Sequence, residues 1–212
     1  QAYNQGYHKK FVCQQIKAIK GEHKRHEYLT LEELKSMINT ETPYINKEIS
    51  PTREFFVFSC LTALPHKECR ALKWEHFKKE IVDGKEQWYF NYTRFKTDTR
   101  NTIPITDDAK DYLLELYSER TSSPYVFPNL KYSAHENNKL QKWAGMSGVK
   151  KTITPHCRRA TFANLFIKIP AYNIIDLMKI MGHKEVKTTL CYIGTSLLEM
   201  TQAIRKFPKV LN

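Results

Sequence analysis

Only one stretch of this chain repeats its apolar residues every second position, and that restricts the fold to helices gathered around a small sheet. From Gln87 to Lys96 the alternate positions are Trp88, Phe90, Tyr92, Arg94 and Lys96, with mostly polar residues between them. A strand with one packed face gives this pattern, because successive side chains point to opposite sides. Asp83-Gly84 before it signals a tight turn, and Thr102 to Ile105 after it supplies a partner strand. The expectation is a mainly α domain carrying an antiparallel sheet of about three strands.

Elsewhere the apolar spacing is helical. Thr30 followed by Glu33 fits a capping box that opens a first helix. An apolar helix over roughly 53–64 and a shorter one through Glu68 to Trp74 follow, and helices resume at Thr106, where Asp107 and Asp108 suit a helix N-terminus. Residues 121–130 read as a Ser/Pro-containing loop. Thr154-Pro155 opens another helix, with Thr154 as N-cap and Pro155 in its first turn. Its stripe is Phe162, Leu165, Phe166 and Ile169, and Pro170 ends it. The next helix carries Ile174, Leu177, Met178 and Met181, with Gly182 as its C-terminal cap. Short helices near 186–192 and 197–206 complete the chain.

With 212 residues and 25.0 kDa, the chain has enough material for one buried core. The longest apolar run, Phe55 to Leu64, falls short of the ~18 residues a membrane span needs. No apolar run of signal-peptide type opens the sequence, so it reads as cytoplasmic. Five cysteines without a C-x-x-C pair argue against a disulfide framework and a zinc ribbon. The net charge of +12 is concentrated in two places. Residues 1–26 hold Lys9, Lys10, Lys17, Lys20, Lys24 and Arg25 against Glu22 alone. Residues 137–175 hold Lys139, Lys142, Lys150, Lys151, Arg158, Arg159 and Lys168 and no acid. Such stripes attract polyanions, although a merely soluble basic surface looks the same.

Four features of the second half bear on chemistry. His156 and Arg159 share a helix face in His-Cys-Arg-Arg. His183 follows Gly182 directly, Tyr192 ends Lys-Thr-Thr-Leu-Cys-Tyr, and Lys96 closes the alternating strand. Each has an ordinary explanation: a surface helix pair, a helix cap, core packing, a solvated lysine. Order and spacing make them informative together.

That order resembles the tyrosine recombinase, or phage integrase, family over roughly residues 28–200. Leu61 to Trp74 is similar to the family's first motif, Thr154 to Ala163 to its His-x-x-Arg motif, and Met181 to Tyr192 to the final motif that ends on the nucleophile. The style of the sequence is similar to integrases of mobile elements in Bacteroides-like bacteria. The resemblance implies the catalytic-domain fold of DNA breaking-rejoining enzymes, with residues 1–27 a basic linker or the remnant of a preceding DNA-binding module and 28–212 the catalytic domain. It implies Tyr192 as nucleophile, His156 as proton partner, Arg159 as phosphate clamp, His183 as a further donor and Lys96 as the acid for the leaving oxygen. Double-stranded DNA, a tetrameric homo-oligomeric synapse and a bacterial cytoplasm follow from the same likeness. The stretch 137–175 would line the DNA channel through Lys139, Lys142, Lys150, Lys151 and Arg158, mostly by phosphate contacts. The phosphotyrosine bond conserves its energy, so no cofactor is expected. No metal is expected either, since the sequence near these residues has no carboxylate cluster. The last helix would dock on a neighbouring subunit or on its own domain.

One departure matters. The first motif normally carries a catalytic arginine after Thr-Gly-Leu, and here Thr62-Ala-Leu is followed by Pro65, which has no charge to offer. Arg94, two residues before Lys96 and so on the same strand face, is the candidate to supply the missing guanidinium. Two alternatives stand beside this: Arg94 contacts a phosphate without a catalytic role, or the protein binds DNA and has lost cleavage.

Overall fold

A computed structural model describes residues 26–194 other than Lys47, Thr97, Pro155 and Ala171. The expected linker up to residue 25 and the expected helix at 197–206 lie outside the described residues.

The first helix, α1 (Leu31–Asn39), begins with the capping box read from the sequence. The Glu33 amide donates to Thr30 Oγ1 at 3.2 Å, and the Thr30 amide donates to Glu33 Oε2 at 2.7 Å. α2 (Thr52–Thr62) is buried on nearly every side and divides the core. Phe55 and Phe58 face a cluster with Phe90, Ile103 and Phe127, whereas Phe56, Val57 and Cys60 face Leu34, Met37 and Trp143. Each fully buried phenylalanine of this group contributes about 1.5–3 kcal/mol. α3 (His66–Ala71) follows, with Pro65 at its N-cap, and a 3-10 turn (Trp74–His76) leads into the sheet.

The sheet has three antiparallel strands in sequential order: β1 (Phe77–Val82), β2 (Lys85–Arg94) and β3 (Thr99–Pro104). Asp83 and Gly84 both adopt positive φ, 50° and 75°, as a two-residue hairpin turn of right-handed twist requires. The alternation in β2 is borne out: Phe90 is fully buried and Tyr92 is 8% exposed. The strand stops at Arg94, however, and the Asp98 amide closes the next turn on the Arg94 carbonyl at 2.8 Å. Lys96 therefore sits in the hairpin turn, where the alternation rule that paired it with Arg94 no longer applies.

α4 (Asp107–Ser118) starts as expected, with Thr106 Oγ1 accepting from the Ala109 amide. α5 (Ala134–Met146) has no counterpart among the expected elements. Its sequence is largely polar, and its anchoring rests on Leu140, Trp143 and Ala144, with the Trp143 indole donating to the Thr40 carbonyl at 2.8 Å.

α6 (Cys157–Phe166) starts later than expected, with His156 rather than Thr154 at the N-cap. Its expected stripe also needs correction: Phe162, Leu165 and Phe166 are half-buried and Ile169 is exposed. The buried positions are Cys157 to Thr161, Ala163 and Asn164. α6 packs on α2, its buried face including the small side chains of Ala160 and Ala163, while Cys157 and Leu165 meet Phe56, Val57 and Cys60. α7 (Ile174–Ile180) buries Leu177, with Met181 beyond it. It ends at Gly182 (φ 63°), where the His183 amide bonds the Met178 carbonyl at 3.0 Å, the left-handed terminus read from the sequence. α8 (Val186–Leu190) then leads to Tyr192.

Candidate active site

Arg159 projects from the first turn of α6 into the space between the ends of α2 and α7. It is 5% exposed. Its Nη1 donates to the Ala63 carbonyl, and its Nη2 donates to the Met181 carbonyl and to His183 Nε2, each at 2.8 Å. Ala63 ends α2 in the left-handed region, φ 57°, which turns its carbonyl toward the guanidinium. Among the described residues no carboxylate forms an ion pair with Arg159. Its charge is held by carbonyl dipoles.

Arg94 reaches the same place from the sheet. Its Nη1 donates to the Met181 carbonyl at 3.2 Å, while its Nε is buried with no hydrogen-bond partner among the described residues. Gly182 leaves room for this approach: a Cβ there would lie 3.1 Å from Arg94 Cδ and 3.1 Å from the Tyr92 hydroxyl, a tight contact for both side chains.

Since Arg159 donates to Nε2, His183 carries its proton on Nδ1, from which it donates to Thr189 Oγ1 at 2.9 Å. Burial, with Arg159, Arg94 and Lys96 beside it, pushes the His183 pKa down to about 3. The ring is therefore a neutral acceptor that holds Arg159. The family resemblance implied a donor here, whereas in this geometry the outer nitrogen already receives a hydrogen bond from Arg159.

The Tyr192 hydroxyl lies 3.2 Å from His156 Nδ1. The Tyr192 ring stacks near His183, centroids 5.5 Å apart, and the Arg159 guanidinium lies 5.6 Å from its centre. His156 is held below the ordinary histidine pKa first by burial and then by His26, Arg159 and Arg158. A neutral His156 with its proton on Nε2 accepts from the phenol.

His26 was missed by sequence reasoning, which placed it in the linker. Its imidazole stacks on His156 at 4.5 Å and lies 4.9 Å from the Tyr192 ring. The segment is held there because the Leu29 amide donates to buried Thr161 and Lys151 donates to the Tyr28 carbonyl. No local pattern marks such a residue; the contact comes from tertiary packing alone. Thr189, which orients His183, was visible only as part of the final motif.

The five lysines and arginines expected along a DNA channel separate into three groups. Lys142 and Lys150 are exposed. Lys139 pairs with buried Glu136 at 3.0 Å and Lys151 with Glu33 at 2.6 Å, so both are engaged within the fold. Arg158 is 4% exposed, with its guanidinium over the Phe55 ring at 4.1 Å. It follows Arg159 on the helix and so faces the core, which removes it from an open channel wall.

A sequence model of the phage integrase family matches residues 27–197. The chain belongs to the phage integrase family. A curated member, the tyrosine recombinase XerA of Saccharolobus solfataricus, is 32% identical over 97 residues, which cover 46% of this chain and 32% of that protein. The chain thus matches about a third of the length of this relative. Among solved structures it is similar to XerA recombinase, with a TM-score of 0.65 and 21% identity over 88% of this chain and 67% of that one. A lambda integrase tetramer bound to a Holliday junction gives a TM-score of 0.63 and 18% identity, over 91% and 55%. The Tn1549 transposon integrase in complex with circular intermediate DNA gives 0.57 and 15%, over 97% and 73%. At these identities the structural likeness speaks for the fold, and the family assignment rests on the sequence match. Among the described residues of this integrase-family domain, no helix is long and apolar enough to cross a membrane.

Proposed function

We propose that this chain is the catalytic domain of a site-specific DNA recombinase that cuts and rejoins DNA through Tyr192. One observation carries the reading: the Tyr192 hydroxyl lies 3.2 Å from an imidazole, beside a buried guanidinium that has no carboxylate partner among the described residues. A phenol ordinarily keeps its proton at neutral pH, so as a nucleophile it needs an adjacent acceptor. Buried cations held by fixed carbonyls suit an anion whose charge grows during reaction, and they need no reorganisation as it does so.

Tyr192 Oη attacks the scissile phosphorus and its proton passes to His156 Nδ1. The phosphorus–O5′ bond breaks, a 3′-phosphotyrosine forms, and the departing O5′ takes a proton from Lys96, exposed on the β2–β3 turn. Arg159 and Arg94 bind the non-bridging oxygens, and His183 keeps Arg159 aimed. The 5′ hydroxyl of another strand then attacks the phosphotyrosine, restores a phosphodiester and returns the proton to Tyr192. Duplex DNA is the substrate, and a tetramer assembled on two duplexes is the working form. The lambda integrase tetramer on a Holliday junction and the Tn1549 integrase on circular intermediate DNA support this reading and point to the integration or excision of a mobile element. The basic segment before residue 28 joins this domain to a DNA-binding module, and Lys142 and Lys150 hold phosphates.

The test is a nicked duplex carrying the recombination site, in which the fragment lost after cleavage traps the covalent product. The expected result is a protein–DNA species that survives denaturing electrophoresis and is absent from Tyr192→Phe. DNA retention by both proteins with no such species from either would defeat the proposal.

A further inference from the structure

The reacting side chain of Tyr192 hydrogen-bonds to His156, with the Arg159 guanidinium beside it, and its main chain follows a helix of only five residues. Something else must fix the position of the nucleophile relative to α6, which carries both Arg159 and His156. Asn164 spans that gap. It lies on α6 with 1% exposure, and its side-chain amide is shared between its own helix and the nucleophile segment. Nδ2 donates to the Ala160 carbonyl and to the Tyr192 carbonyl, each at 2.7 Å, and Oδ1 accepts from the Gly194 amide at 2.9 Å.

The chemistry of the amide is specified by these partners. Two donors meet two carbonyls and one acceptor meets one N–H, so the reverse orientation of the group would set oxygen against oxygen twice. Aspartate has the same shape and keeps the acceptor for Gly194, but it would put a carboxylate oxygen against both carbonyls. Leucine has a similar volume and supplies none of the three bonds. The Tyr192 and Ile193 amides bond the Thr189 and Leu190 carbonyls at 3.0 and 3.2 Å, which continues α8 but gives no tie to α6. The remaining support is apolar or steric: Tyr192 and Ile193 pack with Ala163, Leu177 and Met181, and Gly194 lies so near Tyr28 that a Cβ would sit 2.7 Å from its ring. Apolar contacts hold a segment in place without setting its register, whereas the Asn164 amide ties it to α6 at the Tyr192 carbonyl and at the Gly194 N–H.

We propose that Asn164 is a positioning residue for the nucleophile, locking the main chain at Tyr192 and Gly194 to the helix that carries the phosphate-binding arginine. The inference rests on the reading of Tyr192 as nucleophile. It predicts a loss in the rate of attack with no loss in DNA affinity or in the phosphate-binding groups themselves. A displacement of about 1 Å in a reacting atom lowers a rate by up to about a hundredfold.

The experiment compares Asn164→Leu and Asn164→Asp in the full chain by the rate of covalent adduct formation at saturating nicked duplex and by the DNA concentration at half-saturation. A companion measurement places Asn164→Leu in a Tyr192→Phe background and supplies hydrogen peroxide as an external nucleophile, which reports the phosphate site without the phenol. The expected result is an adduct rate lowered tenfold to a hundredfold in both variants, an unchanged half-saturating DNA concentration, and peroxide-driven cleavage equal to that of Tyr192→Phe alone. Parent-like adduct rates overturn the inference, and so does an equal fall in the tyrosine-driven and peroxide-driven reactions, which marks a general structural defect. A parent chain that forms no adduct with DNA it demonstrably binds overturns the functional reading itself, and this inference with it.

Discussion

Arg94 and Arg159 donate to one and the same acceptor, the carbonyl oxygen of Met181, the first from a strand and the second from a helix. Two guanidinium groups so placed repel each other, and a single carbonyl dipole offsets only part of that repulsion. The arrangement is best matched by an anion with several oxygens seated against both. Pro65 occupies the helix N-cap where the family's first arginine is expected, and the sheet delivers a guanidinium to the same corner as Arg159 by another route.

Arg94→Ala is therefore expected to slow formation of the Tyr192–DNA adduct by about a hundredfold to a thousandfold, the usual effect of losing one fixed donor to a developing anion. Arg94→Lys should recover only part of the rate, because an ammonium group lacks the planar fork. Single-turnover cleavage of a nicked duplex measures both. The role assigned to Arg94 fails if Arg94→Ala cleaves as fast as the parent while Lys96→Ala does not.

Gly182 provides a second test of the same corner. Its φ of 63° strains any other residue, and its missing Cβ leaves room for the Arg94 side chain. Gly182→Ala combines both defects, whereas Gly182→Asn eases the first, since asparagine tolerates the left-handed region, and keeps the second. Both variants should retain DNA and lose adduct at least tenfold. Parent-like cleavage by Gly182→Asn would mean that clearance for Arg94 is not what this glycine provides.

Much of the fold could be read from the sequence because its signals are local. The capping box at Thr30 and Glu33, the Asp83-Gly84 turn, the alternation at Phe90 and Tyr92 and the glycine after Met181 each act within a few residues. The misreadings fall where tertiary packing overrides the local pattern. α6 is a central helix, so its buried face is made of Ala160, Ala163 and Asn164, and its large apolar residues point to the flanks, against the usual rule for a surface helix. Arg158 is basic by composition and buried by helix phase. His26 enters the site through hydrogen bonds made by residues that follow it, which leave no mark in its own neighbourhood. The motifs delivered Arg159, His156, His183 and Tyr192 to one place, but the direction of the His183 hydrogen bonds became legible only with Thr189 and Arg159 in position.

Ala63 marks a cost in stability that can be recovered. It holds a left-handed backbone at φ 57° where the family pattern has glycine. Relief of that strain, less the greater freedom of glycine in the unfolded chain, leaves Ala63→Gly about 0.5–1 kcal/mol more stable. Thermal unfolding should shift upward by about 1–4 °C for a domain of this size, and the urea midpoint should rise at unchanged slope. A lower midpoint would show that the Cβ of Ala63 contributes more by packing than the backbone loses by strain.

The pH dependence of cleavage should reveal His26. Proton transfer from Tyr192 needs a neutral His156, so the rate rises with pH through the His156 pKa and falls as acid protonates the ring. Burial, His26, Arg159 and Arg158 all hold that pKa below the ordinary histidine value, which places the acid limb of the parent profile below about 6.5. His26→Ala removes one stacked ring, exposing His156 to water and deleting a neighbouring titratable group. Both changes raise the His156 pKa, so the acid limb should move to higher pH, with the variant losing rate where the parent is still active. His26→Phe keeps the cover and deletes only the titratable neighbour, so its limb should fall between the two. Acid limbs of the three proteins that superimpose would show that the His26 stack does not govern the protonation of His156.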